Sequence, residues 1–540
     1  MTRVASVCIS SRACQVLGVV LTFALVAALH WRSDGLWFQG DAPRHAMNGF
    51  FWWDFATTLR SNPLDYAIRY YARYPVIAPA TYPPLFYFLE GFAFASWGPS
   101  PYAARVVVLL FAILAGLYTM AWARGWIGPG AGWTGAFLAC IPGVVLWSNT
   151  IMLNIPAVAL GIASMFHFRR WLEASHSKQL VLAASFLIAA LLTYYPGSII
   201  MCVLAAWAIL WIRDLRLLRA MLWIGGAGLL ASVPLLIALS IVPVHTSRQL
   251  PTMTLLSNPI TWTFYWKAIP NLIGRPTLIL GIVGSALGLA TSRLRTEIAF
   301  LATWIVVLTL CLSVLPARDP RYILQAAPAF LLAAAVGIAS GVRLLPTLPV
   351  TPQLAMLMAG LVGGVWSTTG TPVPQVSGFR EVARYLRDQA PFDAILYDGA
   401  YDGLFGFHVR ALDPNFERRI VLANQLIYSF GPTTTFALSE IANVASTNDV
   451  MNVLRARCGC HWVAVEVGPG NGGALGQRLL RETTKRPEFV LVRSFAISGS
   501  GIRRVDLYRL VTAVDPVITV DLRFPSLTNR AFPHIVPITR

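Results

Sequence analysis

The feature that most constrains this chain is a succession of long apolar runs joined by short, basic connections. The hydrocarbon core of a bilayer is about 30 Å thick and takes about 20 apolar residues of helix to cross. Eleven runs approach that requirement: 14–31, 102–122, 131–147, 155–168, 180–194, 196–212, 220–242, 276–291, 297–315, 322–341 and 354–369. The fourth to sixth are short. Only 12% of the 540 residues are charged and 56% are apolar, against about 25% charged in a soluble domain. An ordinary soluble enzyme and a disordered chain are both excluded. Charge is also unevenly placed. Residues 1–369 hold 23 Lys/Arg and 9 Asp/Glu, whereas residues 370–540 hold 19 and 15. The expected organisation is a membrane domain over 1–369 and a water-soluble domain over 370–540.

The net charge of +18 sits mostly in connections between apolar runs. That pattern belongs to a membrane partner, not to nucleic acid. The first run does not read as a typical secretory signal peptide: Arg3 and Arg12 precede it, but no small-residue cleavage pattern follows. Basic residues stay on the cytoplasmic side. Arg124, then Arg169, Arg170 and Lys178, then Arg213, Arg216 and Arg219, then Arg293 and Arg295, then Arg343 fall in alternate connections. This places the N-terminus in the cytoplasm and, with eleven spans, residues 370–540 outside. The chain is expected in the cell membrane as a multi-pass protein.

Two external connections are long: Arg32 to about Pro101, and about Pro243 to Arg275. Long connections on a rigid scaffold are where binding and catalysis concentrate. The first is rich in Trp, Tyr and Phe, which suit the membrane interface. Within it, 82–97 (YPPLFYFLEGFAFASW) is apolar but short and contains Glu90; it reads as an interfacial or re-entrant helix.

Residues 377–540 alternate between helical and strand patterns. GFREVARYLRDQ (378–389) reads as a helix, AILY (394–397) as a strand, and DGAYDG (398–403) as a turn. VAVEV (463–467) reads as a strand, 477–484 as a helix, and FVLVRSF (489–495) and 505–511 as strands. The expectation is a small α/β or α+β domain. The glycine-rich stretch 468–476 lacks the P-loop lysine and any dinucleotide fingerprint, so it reads as a loop. Cys458, Cys460 and His461 stand close together, but a zinc site wants four ligands and no partner cluster appears. They read as a turn entering a strand. The seven cysteines imply no disulfide framework.

The acids of the membrane part are few enough to be informative. Asp34, Asp41, Asp54, Asp65 and Glu90 fall in the first external connection, and Asp319 is the other external acid. Asp41 follows the first span, with Arg44 and His45 one turn later. A carboxylate beside a cation at the membrane surface can serve as a general base or metal ligand. Equally, Asp41 can be an N-cap with Pro43 in the first helical turn.

Four segments carry a family resemblance: GDAPRH (40–45), TYPPLFYFLEGFAFASWGPSPYAARVVVL (81–109), SNTIMLNIPAVAL (148–160) and RDPRYILQAAPAFLLAAA (318–335). In order and content they resemble the GT-C membrane glycosyltransferases, in the family 39-like branch of protein O-mannosyltransferases and lipid A aminoarabinose transferases. The likeness covers roughly 14–345. It implies a mainly α, polytopic GT-C-like fold of about eleven transmembrane helices with a C-terminal soluble α/β domain. It also implies inverting transfer of a sugar from a polyprenyl-phosphate carrier to an acceptor on the extracytoplasmic face. By carry-over Asp41 is the base. Arg44, Arg105, Arg318 and Arg321 are candidates for the departing phosphate, since a guanidinium fork matches phosphate oxygens and stabilises developing charge. His45, Tyr82, Asn154 and Tyr322 complete the candidate substrate site. Arg105 could instead snorkel to the interface.

The sequence departs from the family at three places. Ala42 replaces the second acid of an Asp-Glu pair, Asn154 stands where relatives carry Asp, and Tyr82 stands where the aminoarabinose transferases carry Lys. His45 and Asp54 are substitute bases. No cofactor is demanded, and a divalent metal stays open. Partners are the polyprenyl-phosphate sugar, membrane lipids and a lipid, glycan or protein acceptor. Two other readings stay open. One is a transporter or flippase of lipid-linked sugars, although no internal repeat or mid-membrane charge supports it. The other is a catalytically inactive scaffold subunit.

Overall fold

The computed structural model describes residues 11–31, 35, 41–58, 63–79, 82–211, scattered positions between 219 and 233, 258–315, 318–344, 369–390, 393–432, 438–468, 475–499, 501–514, 519–522 and 534–537. The apolar run 354–369 apart from its last residue, most of 220–242, the connection over 243–257, the basic residues Arg213 and Arg216, and 469–474 of the glycine-rich loop lie outside them. Two compact units emerge. One comprises Met1–Trp31, Tyr82–Phe86 and Arg105–Val373; the other comprises Arg32–Thr81, Tyr87–Ala104 and Pro374–Arg540. Most of the long first connection, all but Tyr82–Phe86, therefore belongs to the same unit as the C-terminal α/β part.

The first unit is helical. Four helical segments among the described residues are long and apolar enough to cross a membrane: Arg12–His30, Pro101–Trp126, Arg295–Ser313 and Pro320–Ser340. Two further apolar stretches are bent. The run read as one span over 131–147 is two pieces, Pro129–Cys140 and Pro142–Ser148, meeting at 63°. Ile141 is extended there (φ −70°, ψ 128°), as the clash with a following proline ring demands. Pro259–Ile273 and Arg275–Ala290 meet at 110°. Between them Gly274 takes φ 87°, open to a residue without Cβ, and Pro276 starts the next helix without needing an N–H partner. Asn154–Ala174, Ser177–Leu191 and Ile199–Trp211 complete the described helices of more than ten residues up to 211.

In the second unit three helices come from the first connection: α1 (Asp41–Thr58), α2 (Pro63–Arg73) and α3 (Leu85–Trp97). Helix α3 is 13 residues long, under the length of a span. Gly49 and Gly91 let α1 and α3 touch: a Cβ on Gly91 would lie 2.7 Å from the Gly49 carbonyl oxygen.

The C-terminal part forms a five-stranded sheet, β1 (Ala394–Asp398), β2 (Arg419–Leu422), β5 (Cys460–Val467), β6 (Phe489–Ala496) and β7 (Arg504–Leu510), in the order β2-β1-β5-β7-β6. Strands β2, β1 and β5 run parallel, while β7 runs antiparallel to both its neighbours, β5 and β6. Two hairpins stand apart, β3 (Tyr428–Pro432) with β4 (Leu438–Ala442), and β8 (Thr519–Leu522) with β9 (His534–Pro537). Helices α4 (Phe379–Gln389), α5 (Asp402–Ala411) and α6 (Leu475–Thr483) complete the unit's named elements. All of β1 is buried, as a parallel strand covered on both faces must be. Alternation along the strand sends Ala394 and Leu396 into a core with Val421, Leu454, Val463 and Leu480. Tyr397 goes to the other face and stacks on Phe405 of α5, centroids 4.4 Å apart.

Each strand and helix expected in 378–511 is present within a few residues. The expected turn at 398–403 is shorter than read, because its last two residues open α5. Cys460 starts β5 and Gly459 makes the turn before it (φ 60°), as expected of a turn entering a strand. The Cys458 and Cys460 sulfurs are bonded to one another across that glycine.

Candidate functional site

The candidate residues fall into two groups, one in each unit. In the sheet-containing unit, Asp41 opens α1 and is partly buried. A first-turn acid is favoured there by the exposed N–H groups of the helix end. Three residues on, Arg44 Nη2 donates to Asp402 Oδ2 at 3.2 Å. Asp402 chiefly, with smaller contributions from Asp41 and Tyr71, holds the guanidinium more firmly protonated than usual, against the opposing effect of burial. His45 is buried, with Nδ1 2.7 Å from the Tyr87 hydroxyl and the two rings stacked. One turn further along, Glu90 lies against Gly49. It is fully buried, and neither carboxyl oxygen has a hydrogen-bond partner among the described residues. Burial pushes that carboxyl well above the usual range.

Asp54, the substitute base, is committed elsewhere. Its Oδ2 accepts from Arg410 Nη2 at 2.7 Å and from the Tyr70 hydroxyl at 3.0 Å. Arg410 also donates to the Asp413 carbonyl at 2.7 Å and stacks over Phe50, 4.8 Å from its centroid. Burial opposes the Arg410 charge, but Tyr70, Asp54 and Tyr74 together raise its pKa. Asp413 accepts from the Tyr74 hydroxyl and from the backbone of Glu417 and Arg418. Sequence reasoning missed Asp402, Arg410 and Asp413. They lie more than 330 residues from Arg44, Asp54 and Tyr74, which they respectively meet, and no local spacing announces such pairs.

In the helical unit, Asp319 Oδ1 caps the 3₁₀ turn Pro320–Ala326 by accepting from Arg321 N at 3.0 Å. Arg321 Nε lies 3.1 Å from Asp319 Oδ2. Its guanidinium is 5.8 Å from the ring centroids of both Trp147 and Tyr322. Arg318 Nη2 donates to Thr261 Oγ1 at 2.8 Å. Tyr322 packs on Tyr194 (6.2 Å), and Tyr194 on Tyr82 (6.1 Å). Tyr82, Arg321 and Tyr322 thus share one tyrosine-lined neighbourhood. Asn154 opens its helix and is buried. Its Oδ1, with Asn149 Oδ1 and Gln325 Oε1, has no hydrogen-bond partner among the described residues. Arg105 is buried at 1% exposure, so it does not extend outward as a snorkelling side chain would. Among the described residues no three His, Cys, Asp or Glu side chains are grouped to hold a metal ion.

No family model matches the sequence, and no curated protein matches it. Solved structures do match by fold. ArnT from Cupriavidus metallidurans bound to undecaprenyl phosphate superposes with a TM-score of 0.58 at 14% identity, over 92% of this chain and 99% of that one. The archaeal oligosaccharyltransferase AglB from Archaeoglobus fulgidus, in complex with an inhibitory peptide and a dolichol-phosphate, gives 0.51 at 11% identity, over 84% of this chain and 69% of that one. The arabinofuranosyltransferase AftD from Mycobacteria gives 0.50 at 16% identity, over 94% of this chain and 42% of that one. The chain has the fold of the GT-C membrane glycosyltransferases.

Proposed function

We propose that this protein is a membrane glycosyltransferase that moves a sugar from a polyprenyl-phosphate carrier to an acceptor on the extracytoplasmic face, with inversion. The observation that carries the reading is the GT-C fold over 92% of the chain, shared with a protein solved with undecaprenyl phosphate bound. The proposed topology is eleven spans, N-terminus in the cytoplasm, residues 370–540 outside. The membrane domain is 1–369, with its first external connection, and the soluble domain is 370–540.

In the reaction, the acceptor hydroxyl oxygen attacks the anomeric carbon as its proton passes to the Asp41 carboxylate. The bond from that carbon to the carrier phosphate breaks, and the phosphate leaves with the electron pair. One displacement inverts the centre. Arg318 and Arg321 supply positive charge for the departing phosphate, which is where electrostatic stabilisation acts most strongly. Arg105 is a third cation for that role. Tyr82 and Tyr322 offer ring faces and hydroxyls to the donor. The open amide oxygens of Asn154, Asn149 and Gln325 accept from sugar hydroxyls. Arg44 serves the base, and His45 is a substrate-binding residue beside it. The acceptor is a lipid, a glycan or a protein hydroxyl.

The test uses purified protein in nanodiscs with a panel of radiolabelled polyprenyl-phosphate sugars and a mixture of envelope acceptors. Carrier-dependent transfer or release of one sugar is expected, with Arg321→Gln raising the KM for the donor. Movement of intact labelled carrier across the bilayer of proteoliposomes, with no sugar release, would overturn the reading in favour of a flippase. Binding of carrier with neither outcome would overturn it in favour of a scaffold.

A further inference from the structure

Helices α1 and α5 lie side by side and run in the same direction. Their first turns meet at Arg44 and Asp402 (3.2 Å). Their middles meet at Phe50 and Phe407, centroids 5.9 Å apart. Their ends meet at Asp54 and Arg410 (2.7 Å). At the first turn the approach is close: a Cβ on Gly403 would lie 3.0 Å from Pro43 Cβ. Asp402 is itself fixed. Its Oδ1 accepts from its neighbour's amide, Gly403 N, at 2.7 Å, and it opens a helix that springs from the carboxyl end of β1. The loop between β1 and α5 is clamped by buried Glu466 of β5, which accepts from Ala400 N and Tyr401 N, both at 2.9 Å, and from the Tyr397 hydroxyl. This loop sits where the parallel order reverses between β2-β1 and β1-β5, the point at which open α/β sheets present working residues.

Arg44 therefore pairs with Asp402 on α5 and sits three residues, about one helical turn, after Asp41 on α1, and both acids together with Tyr71 of α2 favour its charge. We infer that Asp402 is a positioning residue for the transfer reaction: the C-terminal domain uses it to hold Arg44 and the first turn of α1, which sets how strongly the guanidinium engages Asp41. The inference rests on the proposed role of Asp41. With Asp402 in place, Arg44 is shared and the Asp41 carboxylate keeps its capacity to take the acceptor proton. Without it, Arg44 turns wholly to Asp41 and the base is weakened. The C-terminal domain is then part of the catalytic apparatus and not an appended binding module. Arg44 acts on the base instead of serving as a free phosphate ligand.

The test compares wild type, Asp402→Asn, Asp402→Glu and Gly403→Ala in nanodiscs, with whichever donor the panel above identifies, across pH 5 to 9. Asp402→Asn is expected to lower kcat about ten- to a hundredfold, the range that small misplacement of a reacting group produces. The donor KM should stay unchanged, and the acid limb of the kcat profile should move to lower pH. Asp402→Glu should restore most of the loss. Gly403→Ala, which leaves both charges and moves the helix turn, should lower kcat by a smaller factor at the same KM. A kcat and acid limb equal to wild type in Asp402→Asn overturn the inference. A rise in donor KM with kcat intact does too, because it would make Arg44 a phosphate ligand. If Asp402→Asn does not fold, full activity of Gly403→Ala overturns it. An absence of turnover in wild type with every donor tells against the transferase reading itself, and so is distinct from any of these results.

Discussion

The two ends of the α1–α5 contact differ in a way that separates structure from function. At one end Asp54 and Arg410 are an ion pair whose arginine side chain is only 8% exposed, wrapped by Tyr70, Phe50 and Phe416. At the other, the Arg44 side chain is 43% exposed, while its partner Asp402 is only 10% exposed. Buried pairs contribute little net stability, yet breaking one leaves an uncompensated charge and is costly. Exposed pairs are worth between nothing and about 1 kcal/mol. The Arg410 end therefore fastens the first connection to the C-terminal part, and the Arg44 end, whose cation reaches solvent, is the one open to tuning for chemistry.

The largest effect expected from this comparison is at the buried end. Arg410→Ala should destabilise the sheet-containing unit by about 3–5 kcal/mol, read as a lowered Tm and loss of monodispersity. The double change Asp54→Leu with Arg410→Met removes both charges and should recover most of that loss. An Arg410→Ala protein as stable as wild type would erase the distinction between the two ends.

Next comes the clamp behind Asp402. Burial, opposed by the hydrogen bonds from Tyr397, Tyr401 and Ala400 and aided by nearby Asp398, pushes the Glu466 carboxyl up to about 7 from 4.5. A raised folded-state pKa means the folded protein holds the extra proton. The associated stability is fully present below about 4.5. It is lost as pH rises through about 7. The total is about 3 kcal/mol. The Tm should fall between pH 5 and 8, and Glu466→Gln should flatten that slope. An unchanged slope in the variant would assign the titration to another group, with buried Glu90 next in line because its shift has the same sign.

The smallest effect sharpens the comparison from the exposed end. Asp402→Asn leaves a cation that reaches solvent, so it should cost less stability than Arg410→Ala while lowering kcat. A large loss of Tm in that variant would make the exposed pair another fastening.

Much of the fold was legible because it rests on local pattern. Apolar run length found the long helices, and two-residue alternation with turn residues found β1, β5, β6 and β7. Glu90 and its short length marked α3 as something other than a span. The bends at Ile141–Pro142 and at Gly274 were less visible, since hydropathy alone carries straight through a proline or glycine. Helix α5 was hidden because DGAYDG is strong turn chemistry and GLFGFHVRA offers no polar face, being buried from Gly403 to Arg410. Strand β2 and the β3–β4 hairpin are short segments with little alternation. In the candidate site, Asp41, Arg321 and Tyr322 were reached through motif resemblance. The partners that give Arg44 and Asp54 their different tasks arise only when the chain folds back across more than 330 residues.

The central claim is that the acid opening α1 takes the acceptor proton during transfer from a lipid-phosphate sugar. It is tested most directly by measuring carrier-dependent sugar transfer by wild type and Asp41→Asn at equal, verified folding. The account predicts a kcat lower by about 10²–10⁴ in the variant, with donor KM unchanged. Equal turnover by the two proteins would contradict it and move the base away from the first external connection.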